Sequence, residues 1–514
     1  MSFLLNRTTQ EGEIPPGLPL LDYLRDAQGL TAAKAGCREG DCGACTVLLG
    51  QLDSEGHLRY RSVNACLVPM GALDGAHVLT VEGLGETLTP VQKALAEEGG
   101  IQCGFCTPGM VIALTAHLLN SPQLDRPHLL EAMDGNLCRC TGYMGVKRAG
   151  ETLHQRLPEL PLEPAARLAP LIAAGVLPDW LREIPDRLRA LPRRRPKAEP
   201  GKGEPVLGGA TDLLVQRPAL LAAHEPWFAE TLPALHGIRL VDNRVRMGAT
   251  TTMQEMLESE PLALALPALH RALGHIASTP VRDRATLGGN LVNASPIGDL
   301  SVLFLALDAE LLLHRHGCER RLALSDFFLG YKRLDLAEGE ILAAVECLLP
   351  FCQSRTATHG APLAALAGEG RGGEGRGGEG RAAESLAVGN NTVPRAGGFH
   401  FEKVAHRDHL DIASVNCALQ LELDGRRVRR VLLAAGGVAA IPLRLREVET
   451  LLTGAELSTG LALEAARLAA ASVTPIDDVR GSARYKRILL RQLVLAGLLT
   501  LAPFLEPFGA LETL

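Results

Sequence analysis

The stretch Gly36-Cys-Arg-Glu-Gly-Asp-Cys-Gly-Ala-Cys45 brings Cys37, Cys42 and Cys45 into one glycine-rich loop, and Cys66 follows downstream. This C-x4-C-x2-C spacing with a distant fourth cysteine is the plant-type pattern for a [2Fe–2S] cluster. The small residues between the ligands let the backbone wrap around inorganic sulfide and point N–H groups at it. Four thiolates also suit zinc, but zinc sites usually pair two C-x2-C segments. We therefore predict a [2Fe–2S] ferredoxin domain here.

A second set of cysteines has the spacing C-x2-C followed by C-x-C, namely Cys103, Cys106, Cys138 and Cys140. Cys106 directly precedes Thr107-Pro108, where a threonine N-cap before proline predicts a helix start, and Thr141 is a second candidate cap. Two helix N-termini would then direct positive dipole ends at an anionic cluster. Alone, this spacing also fits a zinc knuckle. Beside the first set, it favours a second [2Fe–2S] cluster.

The composition is that of a folded protein without a charged partner. Apolar residues make up 46% and charged residues 21% of the 514 residues, which excludes global disorder. The net charge of −6 gives no reason to expect nucleic acid or an anionic membrane. The most apolar stretch, residues 493–505, is shorter than the roughly 20 residues of a membrane span. With twelve cysteines and no secretory segment, we expect a cytoplasmic protein with reduced thiols.

Two segments around the second set extend the argument, namely Gln102-Cys-Gly-Phe-Cys-Thr-Pro-Gly109 and Gly135-Asn-Leu-Cys-Arg-Cys-Thr-Gly142. Together with the Glu39–Cys45 loop, they resemble the iron–sulfur portion of the molybdenum hydroxylases, the xanthine dehydrogenase and aldehyde oxidase family. The resemblance implies a β-grasp ferredoxin domain over residues 1–85 and a four-helix [2Fe–2S] domain over residues 86–157. All eight cysteine positions of that family are present.

Two glycine loops follow in the second half of the chain. Val206-Leu-Gly-Gly-Ala-Thr-Asp-Leu213 has the pattern of a strand, a tight turn and a helix start, whose free N–H groups would suit a pyrophosphate. Thr286-Leu-Gly-Gly-Asn-Leu-Val-Asn293 leads into Ser295-Pro-Ile-Gly-Asp299, where Asp299 is a candidate helix cap. Either loop alone is more often just a turn. Their combination resembles the flavin-binding domain of the same family.

The resemblance implies FAD, and it assigns the flavin contacts residue by residue. The contacts in the two loops are Val206, Leu207, Gly208, Gly209, Ala210, Thr211, Asp212, Leu213, Thr286, Gly289, Asn290, Asn293 and Asp299. Leu342 is implied beside the isoalloxazine and Lys403 at its polar edge, while Tyr331 matches a tyrosine where nicotinamide would approach. Ile276 departs from the pattern, because animal members carry an aromatic residue there.

We expect an α+β multidomain protein. The linker would span residues 158–203, the FAD-binding domain 204–398 and a C-terminal α/β subdomain 399–514. A repeat of Gly, Glu and Arg lies within residues 353–398 and predicts a disordered, exposed insertion. Gly370-Arg-Gly-Gly-Glu-Gly375 satisfies the G-x-G-x-x-G string, but the repeat generates that match without a strand before it.

Single-chain members of the family continue into a molybdopterin domain, whereas this sequence stops at residue 514. The resemblance therefore implies the electron-transfer subunit of a xanthine dehydrogenase. Its partner would be a molybdopterin-binding large subunit in a heterotetramer, with NAD⁺ as the electron acceptor. We nominate no catalytic residue in this chain. The alternatives are the equivalent subunit of an aldehyde or N-heterocycle hydroxylase, or a non-catalytic iron–sulfur scaffold whose flavin site has decayed.

Overall fold

The computed structural model describes residues 1–121, 123, 126–349, 396–407 and 410–505. The predicted insertion lies outside these residues, apart from its last three. No helix in these ranges is long and apolar enough to cross a membrane. The chain folds as an α+β multidomain protein, in agreement with the predicted fold class.

The N-terminal domain is a five-stranded sheet with a short helical segment on one face. In sheet order its strands are Thr8–Glu11, Ser2–Leu5, His77–Leu79, Thr46–Leu52 and Leu58–Asn64. Because side chains alternate along a strand, the sheet buries residues on both faces. Phe3 and Leu5 pack with Leu20 and Leu24 of the helical segment. Leu4 on the opposite face joins a core formed mainly by the following helices.

The next domain is helical. Its helices are Pro90–Glu97, Thr107–Asn120, Arg126–Glu131 and Met144–Arg156. Thr89 caps the first of these helices, since its side chain accepts a hydrogen bond from the Gln92 N–H in a capping box. The predicted cap at Thr107 is wrong. Thr107 is the first residue of its helix, and Cys106 occupies the N-cap position without a side-chain cap bond.

Residues 158–203, the predicted linker, contain short helices. These are a turn at Pro164–Ala166 and another at Asp179–Glu183, with helices Leu168–Ala173 and Ile184–Ala190. Their apolar side chains are fully buried in the same core as the preceding helices, as for Leu171, Leu181 and Leu188. Trp180 contacts the His77 ring edge to face, at 5.9 Å between centroids.

Residues 206–348 contain the two glycine loops and are called the flavin half, after the cofactor that the resemblance implies. They begin with a parallel pair of short strands, Val206–Leu207 and Trp227–Phe228. An antiparallel five-stranded sheet follows, in the order Cys318–Ala323, Glu310–Arg315, Ile341–Leu348, Arg244–Gly248 and Ile238–Val241. A two-stranded hairpin joins Phe328–Gly330 to Arg333–Leu334. The helices of this half are Leu213–Gln216, Pro218–Ala223, Met253–Glu258, Glu260–Ala265, Pro267–Gly274, Thr279–Arg282, Leu287–Asn293, Asp299–Ala306 and Leu324–Phe327.

The C-terminal part is an antiparallel sheet with helices packed against it. The strands are Ala396–Val404, Val415–Asp424, Arg427–Gly436 and Leu443–Arg444, in that order. The helices are Arg446–Leu452, Thr459–Ala471 and Ala483–Leu501. The apolar helix Asp299–Ala306 of the flavin half is buried from Leu300 to Ala306. Its first residue, Asp299, is hydrogen-bonded to Asn416 of the C-terminal sheet, so the two parts of the chain meet there.

Candidate functional site

The first cysteine loop is wound tightly around its sulfur atoms. The N–H groups of Glu39 and Cys42 each lie 3.3 Å from Cys37 Sγ. Gly40 and Gly43 have φ of 86° and 64°, in the left-handed region that glycine adopts without strain. A Cβ on Gly36 would lie 2.7 Å from Cys42 Sγ. The small residues are therefore required for backbone N–H groups to approach the sulfur atoms.

The four sulfur atoms of this set form two pairs. The Cys37 and Cys42 side chains are hydrogen-bonded to each other, and so are those of Cys45 and the buried Cys66. A hydrogen bond from the Cys42 thiol lowers the pKa of Cys37 to about 5, and the Cys66 thiol lowers the pKa of Cys45 in the same way. The thiolate is the form that binds metal, and in each pair the hydrogen bond from one thiol favours that form on the other sulfur.

The second set is paired in the same manner. Cys140 Sγ lies 3.6 Å from Cys103 Sγ on the surface, while Cys106 and Cys138 pair beneath them. Cys138 also lies 3.0 Å from the Thr141 hydroxyl. The predicted cap at Thr141 is wrong as a helix start, because the helix begins at Met144. Only the Thr107–Asn120 helix begins directly after a cysteine of the set.

The paired arrangement fits a binuclear cluster better than a single ion. Structural zinc needs four ligands around one point. A [2Fe–2S] cluster instead takes two protein ligands at each of two irons, so two separated sulfur pairs suit it. The donor set is all thiolate, as such a cluster requires.

The two cysteine loops contact each other directly. The Leu137 N–H donates to the Cys42 carbonyl at 3.0 Å, and Asn136 Nδ2 donates to the Gly43 carbonyl at 3.0 Å. A Cβ on Gly43 would lie 2.1 Å from the Gly135 carbonyl oxygen. Each loop therefore fixes the other, and a short bonded path joins Cys42 to Cys138 through Leu137.

The two predicted glycine loops also pack against each other. A Cβ on Gly209 would lie 1.6 Å from the Arg284 carbonyl oxygen, and one on Gly208 would lie 2.4 Å from Thr286 Oγ1. Ala210, which lies between these glycines and the start of the Leu213–Gln216 helix, has a φ of 65°. Thr286 caps the next helix by accepting from the Gly289 N–H at 3.1 Å. In the second turn, however, the N–H groups of Leu287, Gly288 and Asn290 donate to protein carbonyls, so backbone N–H groups for a ligand are expected from the first turn.

Several buried polar atoms near these loops have no partner within the described ranges. They include Asn290 Oδ1, Ser301 Oγ and Asn416 Oδ1. A Cβ built on Gly298 would lie 3.6 Å from Asn290 Oδ1 and 3.1 Å from Ser301 Oγ, so these two atoms are close together. Buried polar atoms are normally hydrogen-bonded. The unpaired atoms suit a site for a polar ligand such as a flavin nucleotide, because such a ligand could supply the partners.

Asp299 is the first residue of its helix, and the predicted cap is wrong, since no side-chain cap bond forms. Its carboxylate instead accepts from Asn416 Nδ2 at 2.5 Å and from Lys403 Nζ at 3.3 Å. All three side chains are largely buried. Burial raises the pKa of Asp299, while the Lys403 and Asn416 contacts act in the opposite direction. Asn416 was not predicted, although a polar residue inside an apolar strand is the signal for it.

Asn293 and Asp212 meet at the other end of the site. Asn293 Oδ1 accepts from Lys332 Nζ at 2.7 Å, and Gln216 Nε2 bridges Asn293 Oδ1 and Asp212 Oδ1 at 3.3 and 3.2 Å. Lys332 was not predicted either. It follows Tyr331, whose side chain is 64% exposed at the tip of the hairpin.

The remaining predicted residues lie in different environments. Leu342 is buried in the central strand of the five-stranded sheet, opposite Leu313. Ile276 is buried next to Ala277, whose φ is 55°. The structure thus brings the two glycine loops together, and separately joins Asp299 to Lys403. It shows no hydrogen bond from either group to Tyr331.

Four family models match consecutive parts of the chain. "2Fe-2S iron-sulfur cluster binding domain" matches residues 3–71 and "[2Fe-2S] binding domain" matches residues 80–151. "FAD binding domain in molybdopterin dehydrogenase" matches residues 195–350, and "CO dehydrogenase flavoprotein C-terminal domain" matches residues 400–501. The cofactors of this chain are accordingly two [2Fe–2S] clusters and FAD, as predicted.

Curated relatives carry several names. Xanthine dehydrogenase 2 of Arabidopsis thaliana is 29% identical over 86% of this chain and 35% of its own length. Aldehyde oxidase 2 of Cavia porcellus is 31% identical over 67% of this chain and 31% of its own length. The chain thus spans about a third of these relatives.

A solved carbon monoxide dehydrogenase from Hydrogenophaga pseudoflava is 24% identical, with a TM-score of 0.48 over 59% of this chain and 90% of that one. The solved quinoline 2-oxidoreductase of Pseudomonas putida 86 is 22% identical, with a TM-score of 0.45 over 58% of this chain and 90% of that one. The assignment of the chain to a family rests on the four family models and the cysteine sets. The chain belongs to the molybdenum hydroxylase family, as an electron-transfer module with two [2Fe–2S] clusters and FAD.

Proposed function

We propose that the chain is the electron-transfer subunit of a xanthine dehydrogenase that uses NAD⁺ as its acceptor. When bound, the clusters carry single electrons from purine hydroxylation at a partner's molybdopterin centre, and FAD passes them as hydride to NAD⁺. The observation that carries the proposal is the continuous contact between the two cysteine loops, through Leu137 and Cys42. The xanthine dehydrogenase relatives support the substrate class.

In this proposal the eight cysteines are the cluster ligands, two to each iron. The pairs are Cys37 with Cys42, Cys45 with Cys66, Cys103 with Cys140, and Cys106 with Cys138. The N–H groups of Glu39 and Cys42 would favour added negative charge on the first cluster. The second set opens to the surface at Cys103 and Cys140, so its potential would depend on what covers it.

The two glycine loops, together with Lys403, would hold FAD. The loop around Gly209 would offer backbone N–H groups to the pyrophosphate, and Asn290 Oδ1 in the second loop would supply a hydrogen-bond acceptor. Lys403, held beside Asp299, would place positive charge at the polar edge of the ring system. Tyr331 is exposed at the tip of the hairpin, where the family resemblance implies that nicotinamide approaches.

A partner subunit would cover the exposed sulfur pair. Large apolar side chains within four positions of Cys103 or Cys140 in the sequence are exposed, namely Ile101, Phe105, Leu137 and Met144. An apolar surface of this kind is typical of a protein interface. We therefore propose a molybdopterin-binding large subunit here, in a heterotetramer located in the cytoplasm. An aldehyde hydroxylase partner is the second candidate, because the aldehyde oxidase relative is 31% identical.

The test begins with cofactor content. The purified chain should contain about four irons, two for each cluster, together with FAD. It should transfer electrons from NADH to an artificial dye and should not hydroxylate xanthine alone. Adding the co-purified partner should restore xanthine-to-NAD⁺ activity. Stoichiometric zinc without iron, or hydroxylation of aldehydes in preference to xanthine by the complex, would contradict the proposal.

A further inference from the structure

Three consecutive charged residues, Arg282-Asp283-Arg284, lie buried just before the second glycine loop. Their exposed fractions are 2%, 8% and 6%. Charged side chains are almost never buried unless they are paired, and three in succession are unusual. Each of them turns to a different part of the protein.

Arg282 connects the flavin half to the helical domain. Its Nη2 lies 3.2 Å from Asp134 Oδ2, and both side chains are buried. Asp134 also accepts from the Thr279 N–H, at 3.1 Å and 3.2 Å to its two oxygens. Asp134 directly precedes Gly135, where a Cβ would lie 2.9 Å from Pro280 Cδ. The contact therefore holds the loop that leads to Cys138.

Asp283 connects the same segment to the ferredoxin sheet. Its Oδ1 lies 3.4 Å from Arg61 Nη1, and its Oδ2 lies 3.4 Å from the Ser62 hydroxyl. Arg61 also pairs with Glu258 at 2.6 Å. Arg61 and Ser62 belong to the Leu58–Asn64 strand, which leads directly to the Cys66 turn.

Arg284 binds residues of the flavin half itself, including the first glycine loop. Its Nη1 and Nη2 bind the two carboxylate oxygens of Glu230 at 2.8 and 3.1 Å. Nη2 also donates to the Gly209 carbonyl at 3.4 Å. A bidentate arginine–carboxylate pair fixes orientation as well as distance.

We infer that Arg282-Asp283-Arg284 is a positioning element that fixes the pair of cysteine loops, as one unit, relative to the first flavin loop. This inference rests on the proposed function, because its purpose would be the spacing between clusters and flavin. Electron transfer slows steeply with separation, so a small displacement of one domain has a large effect. Buried ion pairs are often no better for stability than apolar packing, whereas they do define direction and register.

The division of labour among the three residues makes the inference testable. Arg282→Gln should loosen the helical domain from the flavin half, while the direct bond between Leu137 and Cys42 keeps the two cysteine loops together. Arg284→Gln should instead weaken FAD binding, because only the first glycine loop loses its partner. The matched control is Arg429→Gln, which removes an exposed ion pair with Asp424.

The experiment uses the full chain loaded with iron and FAD. Stopped-flow mixing with NADH should show that electron transfer from reduced flavin to the clusters is slowed about tenfold in Arg282→Gln, as for a small misplacement. This step is measured separately from flavin reduction, because Arg282 also donates to the carbonyls of Ile276 and Ala277. The magnetic interaction between the two reduced clusters should be unchanged. Amide exchange at Thr279 should become faster, since its N–H loses a firmly held acceptor. Arg282→Lys should restore part of the cluster reduction rate.

The outcomes separate the inference from the proposed function. If the wild-type chain shows no transfer from flavin to clusters, the proposed function fails. If the wild type transfers and Arg282→Gln transfers equally fast, the inference fails. Should Arg282→Gln not hold its cofactors, the isosteric Asp134→Asn decides the matter by the same two rates. A slowing in Arg429→Gln equal to that in Arg282→Gln would also overturn the inference.

Discussion

Gly209→Ala tests the contact on which the flavin site depends. The new Cβ would lie 1.6 Å from the Arg284 carbonyl oxygen and 2.6 Å from its carbonyl carbon. Both are backbone atoms, so no rotamer change can relieve the overlap, and the two glycine loops must separate. Overpacking of this kind costs about 1–3 kcal/mol. At about 1.4 kcal/mol for each factor of ten, we expect FAD affinity to fall about 5- to 150-fold.

The assay is a titration of the flavin-free chain with FAD, followed by fluorescence, together with urea unfolding. Gly274→Ala is the matched control, because nothing lies within 4 Å of its new Cβ. That substitution should leave FAD affinity unchanged and should not destabilise the chain, since it reduces the entropy of the unfolded state. If Gly209→Ala bound FAD as tightly as the wild type, the packing of the two loops against each other would be refuted.

Three further substitutions test other parts of the site. Asp299→Ala should destabilise the chain by about 3–5 kcal/mol in urea unfolding, because it leaves Lys403 buried without its carboxylate; Asp299→Ala combined with Lys403→Met should recover much of that loss. Asp283→Asn should remove a pH dependence, since burial raises the pKa of Asp283 to about 7 against the attraction of Arg61. A carboxyl with a raised folded pKa contributes less stability as pH rises from about 4 to 7, so melting temperature in that window should fall less for Asp283→Asn than for the wild type. Cys140→Ser should spare NADH-to-dye transfer, remove one of the two cluster signals and abolish xanthine-to-NAD⁺ transfer in the complex, and an intact complete reaction would contradict the relay.

The fold class and the cofactors could be predicted because their signals are local. The spacing of Cys37, Cys42 and Cys45 within one loop needs no knowledge of the tertiary structure, and neither does the capping box at Thr89. The pairing of Cys45 with Cys66 could not be predicted. It depends on how the Leu58–Asn64 strand delivers Cys66 to the loop.

Caps and long-range partners were harder to predict. Asp299 and Thr107 have the residue types of helix caps, yet tertiary contacts and the exact helix start decide otherwise. Lys403 and Asn416 are more than 100 positions from Asp299, and no periodicity links them. The same holds for Arg282 and Asp134, whose partnership exists only because two domains meet.

The core that residues 158–203 share with the first two domains has a consequence for how the chain could be divided. Leu4 of the ferredoxin sheet, Met110 of the helical domain and Leu188 of this segment belong to one continuous apolar cluster. Cutting out either iron–sulfur domain alone would therefore expose part of this cluster to water. A graft that carried either cysteine set to another protein would have to take the other set and the segment as far as Leu188, and it would still expose the side of the ferredoxin core that packs on Leu207, Leu214 and Leu221.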